Sequence, residues 1–184
     1  MGKSRLVYAL QNALQTPLAQ QSSQDQAVAG EFQWFTCPGE HILHQSLYPF
    51  KHFLRQYFKQ DPRLPESENK LRFESVLDSL LERLRNRAVA DIRCALLRNQ
   101  LERTRSVLGA LVDLYWEGSL YERLEPKLRF ENSLLAFKTL VMAEALQNPV
   151  ILHIEDAHTL DGDSLSMLNN LMRGVDDFPL LLLF

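Results

Sequence analysis

Val150-Ile151-Leu152-His153-Ile154-Glu155-Asp156 is a mostly apolar run of five residues followed by two acidic residues. A short apolar segment that follows Asn148-Pro149 is typical of a strand buried in a parallel sheet. In an open α/β sheet, the crevice that binds ligands lies at the carboxyl ends of the strands. The sequence therefore predicts that Glu155 and Asp156 border such a crevice. The alternative is that the two acids only begin a solvent-exposed turn.

Helical patterns lie on both sides of this strand. The preceding helix has an apolar face that comprises Phe130, Leu134, Phe137 and Val141. The following helix, with Asp163 as its predicted N-cap, has an apolar face that comprises Leu165, Leu168, Leu171 and Met172. Leu180 to Phe184, which follows Pro179, is another apolar run and predicts a further buried strand. This strand–helix–strand order predicts parallel strands with right-handed crossovers.

The remaining sequence adds one strand and several helices. Phe32 to Thr36 is aromatic and ends before Pro38-Gly39, which predicts a strand. Leu47 to Gln60 predicts a helix with Pro49 in its first turn. Glu66 to Trp116 is rich in Leu, Arg and Glu and predicts several more helices. We therefore expect an α/β fold in which a large helical insert precedes the strand that carries the two acids.

The N-terminus carries Gly2-Lys3-Ser4, which an amphipathic helical pattern from Ser4 to about Gln15 follows at once. The same residue types end a phosphate-binding loop, whose full pattern is G-x-x-x-x-G-K-[ST] between a strand and a helix. In such a loop the backbone N–H groups face the phosphates, the lysine reaches the β and γ oxygens, and the hydroxyl ligates Mg²⁺. The strand and the first glycine of the pattern do not precede these residues, so a chance match is the alternative.

The composition is that of a globular domain. Of the 184 residues, 46% are hydrophobic and 23% are charged, which predicts a folded domain rather than disorder. The net charge of -3 gives no support for binding to nucleic acid or to an anionic membrane. Two cysteines, Cys37 and Cys94, are too few for a disulfide framework, and no segment is long and apolar enough to span a bilayer. We expect a soluble, cytoplasmic domain with no direct nucleic-acid or membrane contact.

The segment from Pro149 to Leu168 resembles the Walker B region of signal-transduction ATPases of the AAA/STAND type, whose pattern is close to P-hhhh-ED-hHWaD-x-x-S-hxhh. These P-loop domains occur beside adenylate or guanylate cyclase, LuxR-type regulator or protein kinase domains. Two further segments are similar to the same family, from Thr36 to Phe50 and from Leu124 to Glu131. With Gly-Lys-Ser-Arg-Leu at the start, the resemblance covers the whole chain, although the central helices match only in character.

This resemblance implies a three-layer αβα P-loop sandwich with a parallel sheet, without its first strand. It implies one partial ATPase domain over residues 1–184. Within it, residues 1–37 contain the phosphate-loop tail, a helix and the second strand, residues 38–126 are a mostly helical insert, and residues 127–184 are the Walker B half. ATP and Mg²⁺ are the implied cofactors. Effector domains on the same polypeptide are the implied partners, and self-association stays open.

The resemblance also implies roles for single residues. The nucleotide-binding residues are Gly2, Lys3, Ser4 and Arg5, of which Ser4 is also a Mg²⁺ ligand. Glu155 supports the Mg²⁺ and Asp156 polarises the attacking water, so these two acids are the expected catalytic pair. The chain departs from the family where Thr159 replaces a tryptophan and where Glu-Asp inverts the Asp-Glu order of fast P-loop ATPases. Because Asp is shorter than Glu, slow hydrolysis is implied, which suits a nucleotide-dependent switch.

Other interpretations of the chain remain. It is alternatively a hydrolysis-deficient nucleotide-binding module, or a helical scaffold with accidental motif matches. Cys37, His41 and His44 have the spacing of part of a metal site but lack a fourth ligand, so we expect ordinary loop residues. Seven arginines occur between Arg83 and Arg105 with acids among them, which predicts a solvated helix face rather than a nucleic-acid surface. The sequence does not select one of them as an arginine finger.

In the strand order that the resemblance implies, the strand bearing the phosphate loop lies beside the strand that follows Walker B. Leu180 to Phe184 would then form a bare edge in this chain. An exposed apolar edge offers unpaired N–H and C=O groups to other chains. We therefore expect the 184 residues alone to be poorly soluble and to bind Mg-ATP weakly. A strand and glycine segment before Met1 and a strand after Phe184 should restore both properties.

Overall fold

The computed structural model describes residues 2–15, 32–39 and 45–184. These residues form seven α-helices, one 3₁₀ helix and three β-strands, in the chain order α1 (Gly2–Gln15), β1 (Gln33–Cys37), α2 (Tyr48–Tyr57), α3 (Glu66–Arg87), α4 (Ile92–Ala110), α5 (Leu120–Arg123), α6 (Pro126–Ala145), β2 (Val150–Ile154), the 3₁₀ helix (Ala157–Thr159), α7 (Gly162–Met172) and β3 (Leu180–Leu183). The chain divides into two compact units, Met1–Glu31 and Phe32–Phe184. Helix α1 belongs to the first unit, and every other element belongs to the second.

The three strands form one parallel sheet in the order β1-β2-β3. Gln33 pairs with Val150 at one end of β1, and Val150 also pairs with Leu180 of β3. The α/β class, the three strands and their parallel direction are thus confirmed, while the P-loop sandwich stays a prediction. The bounds differ by one residue from the prediction, because β1 extends to Cys37 and β3 ends at Leu183.

Helices α2, α6 and α7 cover one face of this sheet. The ring of Phe35 on β1 lies 4.9 Å from that of Phe53 on α2, and Phe53 in turn meets Phe137 of α6 at 6.1 Å. Helix α7 packs against both α2 and α6, so it lies in the same layer. Trp34 and His153, whose rings are 6.0 Å apart, lie on the other face, because successive residues of a strand point to opposite sides. The main core therefore lies between the sheet and this helical layer.

The helical insert joins β1 to β2, and its buried residues belong to the same hydrophobic cluster as those of the sheet and of α7. Helix α4 packs against α3, α5 and α6 and buries Leu101 and Leu108 completely. Gly109 near the end of α4 permits a close approach of Trp116, because a Cβ atom at Gly109 would lie 2.2 Å from the indole ring. The prediction of several helices in this region is confirmed. Among the described residues, no helix combines the length and the apolar character needed to cross a bilayer.

Several predicted helix details are wrong. Asp161, and not Asp163, is the N-cap of α7. Leu165 and Met172 are 45% and 42% exposed, so they do not belong to the buried face of α7. The buried face of α7 instead consists of four residues three or four positions apart, which is helical spacing: Ser164, Met167, Leu168 and Leu171. The first and second helices also have other bounds than predicted: α1 begins at Gly2 rather than Ser4, and α2 spans Tyr48–Tyr57 rather than residues 47–60.

Candidate functional site

The two acids predicted to be catalytic lie at the carboxyl end of the central strand. Strands β1 and β2 end together, since Cys37 pairs with Ile154 and the Glu155 amide donates a hydrogen bond of 2.9 Å to the Cys37 carbonyl. Glu155 and Asp156 follow immediately, and both are exposed. The two acids therefore lie at the carboxyl ends of the strands, which is where open α/β sheets bind ligands.

The backbone of Asp156 has a left-handed conformation, with φ 48° and ψ 44°. Among non-glycine residues, Asp and Asn adopt this conformation most readily. The turn is held by Thr159, whose amide and Oγ1 each donate a 2.8 Å hydrogen bond to the Asp156 carbonyl. Thr159 therefore has a structural role, because it closes the 3₁₀ turn behind the acid pair.

Gly39 brings the segment after β1 against the acid pair. A Cβ atom at this position would lie 2.9 Å from the Asp156 Cβ, 2.9 Å from the Glu155 carbonyl oxygen and 3.4 Å from Thr159 Oγ1. Atoms of a real side chain do not approach so closely, so only glycine fits without a shift of the neighbouring backbone. From the sequence, Gly39 indicates only the end of a strand, and its position directly after Pro38 is the one signal of this turn.

The N-terminus of α7 completes this edge of the sheet. The Asp161 carboxylate accepts hydrogen bonds of 3.0 Å from the amides of Asp163 and Ser164 and one of 2.5 Å from Ser164 Oγ. Partial burial acts to raise the pKa of Asp161, but these hydrogen bonds outweigh it and lower the pKa below its ordinary value. Asp163 accepts a hydrogen bond of 2.6 Å from Ser46 Oγ, which joins the segment before α2 to α7. Ser46 and Ser164 both lie in the segments that carry the resemblance, but no role for either follows from the sequence.

The predicted phosphate-binding residues lie in the first turns of α1. The first turn contains no acidic residue that would offset the positive end of the helix dipole. Arg5 is exposed, whereas the side chains of Gly2, Lys3 and Ser4 are outside the described part of the structure. The structure thus brings Glu155 and Asp156 together on one sheet edge, while Gly2 to Arg5 belong to the other unit.

The partial metal motif in the sequence gains no support. Cys37 is fully buried, and this burial raises the pKa of its thiol far above the ordinary range, so the thiol stays protonated. His41 and His44 lie outside the described residues. Across residues 2–15, 32–39 and 45–184, no three His, Cys, Asp or Glu side chains are grouped so that they could hold a metal ion.

Most of the arginines in the helical insert are paired with carboxylates. Of the seven arginines from Arg83 to Arg105, five form ion pairs with acidic side chains, namely Arg83, Arg85, Arg93, Arg98 and Arg105. Arg87 also donates hydrogen bonds, to the backbone carbonyls of Leu146 and Gln147. This arrangement agrees with the expected solvated helix faces, on which cations and acids alternate.

Comparison of the chain with models of known protein families, with curated proteins and with solved structures finds no match. Its function therefore has to be inferred from the residues at the sheet edge and from their geometry.

Proposed function

We propose that this chain is part of a P-loop ATPase that binds ATP and hydrolyses it slowly, as a nucleotide-dependent switch in a multidomain signalling or transcription-regulatory protein. The observation that carries the proposal is the exposed acid pair at the carboxyl end of the central parallel strand. Ligands of open α/β sheets bind outside these strand ends, and exposed carboxylates suit the hydration shell of Mg²⁺.

In this proposal, the positive N-terminus of α1 and Lys3 bind the phosphates, with Gly2 and Arg5 contributing to the same loop. Ser4 and Glu155 would hold the Mg²⁺, which would neutralise the negative charge that develops on the phosphates. Asp156, whose backbone lies in the left-handed turn after the strand, orients the attacking water. An Asp in this role has a shorter reach than Glu, so turnover is slow and the ATP state is long-lived.

The proposal predicts a specific effect of Lys3→Ala. The protein to use is the chain extended by a strand and a glycine-rich loop before Met1 and by a strand after Phe184. Mg-ATP at about 100 times its dissociation constant should stabilise this protein by about 2.7 kcal/mol, which corresponds to roughly 5–10 °C in melting temperature. Lys3→Ala should abolish the shift, whereas Lys127→Ala, at an exposed lysine of α6, should keep it. An equal thermal shift in both variants would show that Lys3 does not contact the phosphates. No thermal shift in the parent protein would favour the interpretation as a helical scaffold with accidental motif matches.

Asp156→Asn separates hydrolysis from binding. The amide preserves the shape and the tolerance for the left-handed turn but does not orient water as a carboxylate does. The variant should keep the Mg-ATP thermal shift and lose phosphate release measured at saturating ATP. If the parent protein shows the thermal shift without turnover, the hydrolysis-deficient binding module is the correct interpretation. A variant as active as the parent would contradict the role of Asp156.

A further inference from the structure

A polar pocket lies at the opposite end of the sheet from the acid pair, where the strands begin. Gln33, the first residue of β1, and Asn148, which precedes β2, contribute to its lining together with residues of α2, α3 and α6. Its volume is about 550 Å³, within the range of about 300–1,000 Å³ that small-molecule sites occupy. Val76 is the one aliphatic side chain among the described residues that line it. A ligand of this pocket must therefore be polar.

The floor of the pocket is the buried carboxylate of Glu144, which is 2% exposed. It accepts hydrogen bonds from the Tyr57 hydroxyl, from Arg83 Nη2 at 2.9 Å and from Gln33 Nε2 at 3.2 Å. Burial, and then the negative charge of Glu144, raise the pKa of Tyr57 well above its ordinary value, so its hydroxyl remains a donor. Three donors thus satisfy the Glu144 carboxylate. Its ion pair with Arg83 holds that guanidinium at the wall of the pocket.

One wall is a row of polar side chains on α3. Ser75, Ser79 and Arg83 follow each other at intervals of four residues, which places them on the same face of the helix. Arg83 Nη1 donates a hydrogen bond of 3.1 Å to Ser79 Oγ. Because the Ser79 oxygen accepts this bond, its own proton is available for donation to a ligand. The row therefore presents two hydroxyl donors and a guanidinium to the pocket.

Lys59 faces this row from a backbone position that normally favours glycine. Helix α2 ends in a Schellman arrangement, in which the Lys59 amide donates to the Gln56 carbonyl at 3.0 Å and the Gln60 amide donates to the Arg55 carbonyl at 2.8 Å. Lys59 has φ 55°, a conformation that costs a residue with a Cβ atom more than it costs glycine. The lysine is thus kept at a strained backbone position, and it is one of the residues that line the pocket.

The charges of the wall make it selective for anions. Lys59 and Arg83 contribute two positive charges, and Glu144 contributes one negative charge, so the pocket carries a net charge of +1. Ammonium, guanidinium and hydroxyl donors around one cavity are the groups that bind carboxylate and phosphoryl oxygens. We propose that this pocket binds a small polar metabolite through an oxyanion, held by Lys59, Ser75, Ser79 and Arg83. The site is independent of the proposed nucleotide site, since it lies at the other end of the sheet.

The test is a titration of the chain, extended by a strand before Met1 and a strand after Phe184 as for the Mg-ATP experiment, with inorganic phosphate and, separately, with succinate, at constant ionic strength set by chloride. Saturable shifts of the Lys59, Ser75 and Ser79 amide resonances are expected for at least one of the two anions. Phosphate alone identifies a phosphoryl ligand, and succinate alone identifies a carboxylate ligand. If neither anion gives saturable shifts beyond those of chloride, the proposal is wrong.

Lys59→Gly is the decisive variant, because it removes the ammonium group and relieves the left-handed backbone at once. It should weaken the binding of the anion by about tenfold or more, as expected for loss of a charged donor. Its melting temperature should equal or exceed that of the parent protein, so a loss of binding cannot come from unfolding. Lys127→Gln removes an exposed lysine elsewhere and should leave the affinity unchanged. Equal affinities of the Lys59→Gly variant and the parent protein would overturn the assignment.

Discussion

Substitution of Gly39 by alanine tests whether the acid pair is held by close packing of the two strand exits. The added Cβ atom would lie 2.9 Å from both the Asp156 Cβ and the Glu155 carbonyl oxygen. Both atoms belong to or adjoin the backbone, so no flexible side chain can move aside. Overpacking of this kind costs typically about 1–3 kcal/mol. The loss of glycine freedom in the unfolded chain offsets about 0.4–1 kcal/mol of that cost.

The net destabilisation by Gly39→Ala is therefore about 1–2 kcal/mol. In a chain of this size it should lower the melting temperature by roughly 2–8 °C. The strain falls on the hydrogen bond between the Glu155 amide and the Cys37 carbonyl. Thermal unfolding measures the first effect, and faster amide hydrogen exchange at Glu155 measures the second. Both should occur without any nucleotide, so the result does not depend on the proposed function.

Gly162→Ala is the matched control on the other side of the acid pair. A Cβ atom at Gly162 would meet nothing within 4 Å, and the residue begins helix α7. Alanine is the better helix former, so this variant should be stabilised by up to about 1 kcal/mol. Two glycine-to-alanine changes close to the same turn should thus shift the melting temperature in opposite directions. A Gly39→Ala variant as stable as the control would refute the close-packing explanation.

Two further substitutions test hydrogen bonds at opposite ends of the strands, one beside the acid pair and one in the polar pocket. Asp161→Ala removes the cap of α7 and should cost about 1 kcal/mol in urea unfolding near neutral pH. Because folding lowers the pKa of Asp161, its contribution is present above the ordinary pKa of about 3.9 and is lost as the pH falls through the lower folded pKa, so the deficit should shrink in acid. Arg83→Met should cost about 1–2 kcal/mol, since it leaves the buried Glu144 without its cation although Arg83 is itself 44% exposed. In a Glu144→Gln background the same change should cost under about 0.5 kcal/mol, and additive losses would contradict the pairing.

The strands were predictable from the sequence because each is a short apolar or aromatic run with turn residues beside it. The exact cap of α7 was not, since Asp161 and Asp163 lie two residues apart before the same helix and both residue types suit an N-cap. The backbone decides between them: Asp161 is extended and accepts two amide hydrogen bonds, whereas Asp163 is already helical and binds Ser46. Local pattern therefore fixes the element but not the residue at its boundary.

The polar pocket was not predictable, because its residues are far apart in the sequence. Gln33, Tyr57, Arg83 and Glu144 come from four different elements, and the hydrogen bonds between them span up to 111 residues. The one local signal was Glu144 itself. It continues the helical spacing of the apolar residues Phe137, Leu140 and Val141, so a carboxylate stands on the buried face of α6. A charged residue at such a position predicts that a partner residue is buried beside it, but the identity of that residue does not follow from the sequence.

The sheet topology sets a condition on the proposed nucleotide site. The connection from β1 to β2 contains α2 and α6, the connection from β2 to β3 contains α7, and these helices pack together on one face. A ligand crevice in an open α/β sheet forms where the strand order reverses, and the order β1-β2-β3 contains no reversal among the described strands. Leu181 of β3 is 48% exposed on the opposite face. A further parallel strand beside β3, whose own helix covered that face, would create the reversal next to Glu155 and Asp156. This is the position that the resemblance implies for the strand of the phosphate loop.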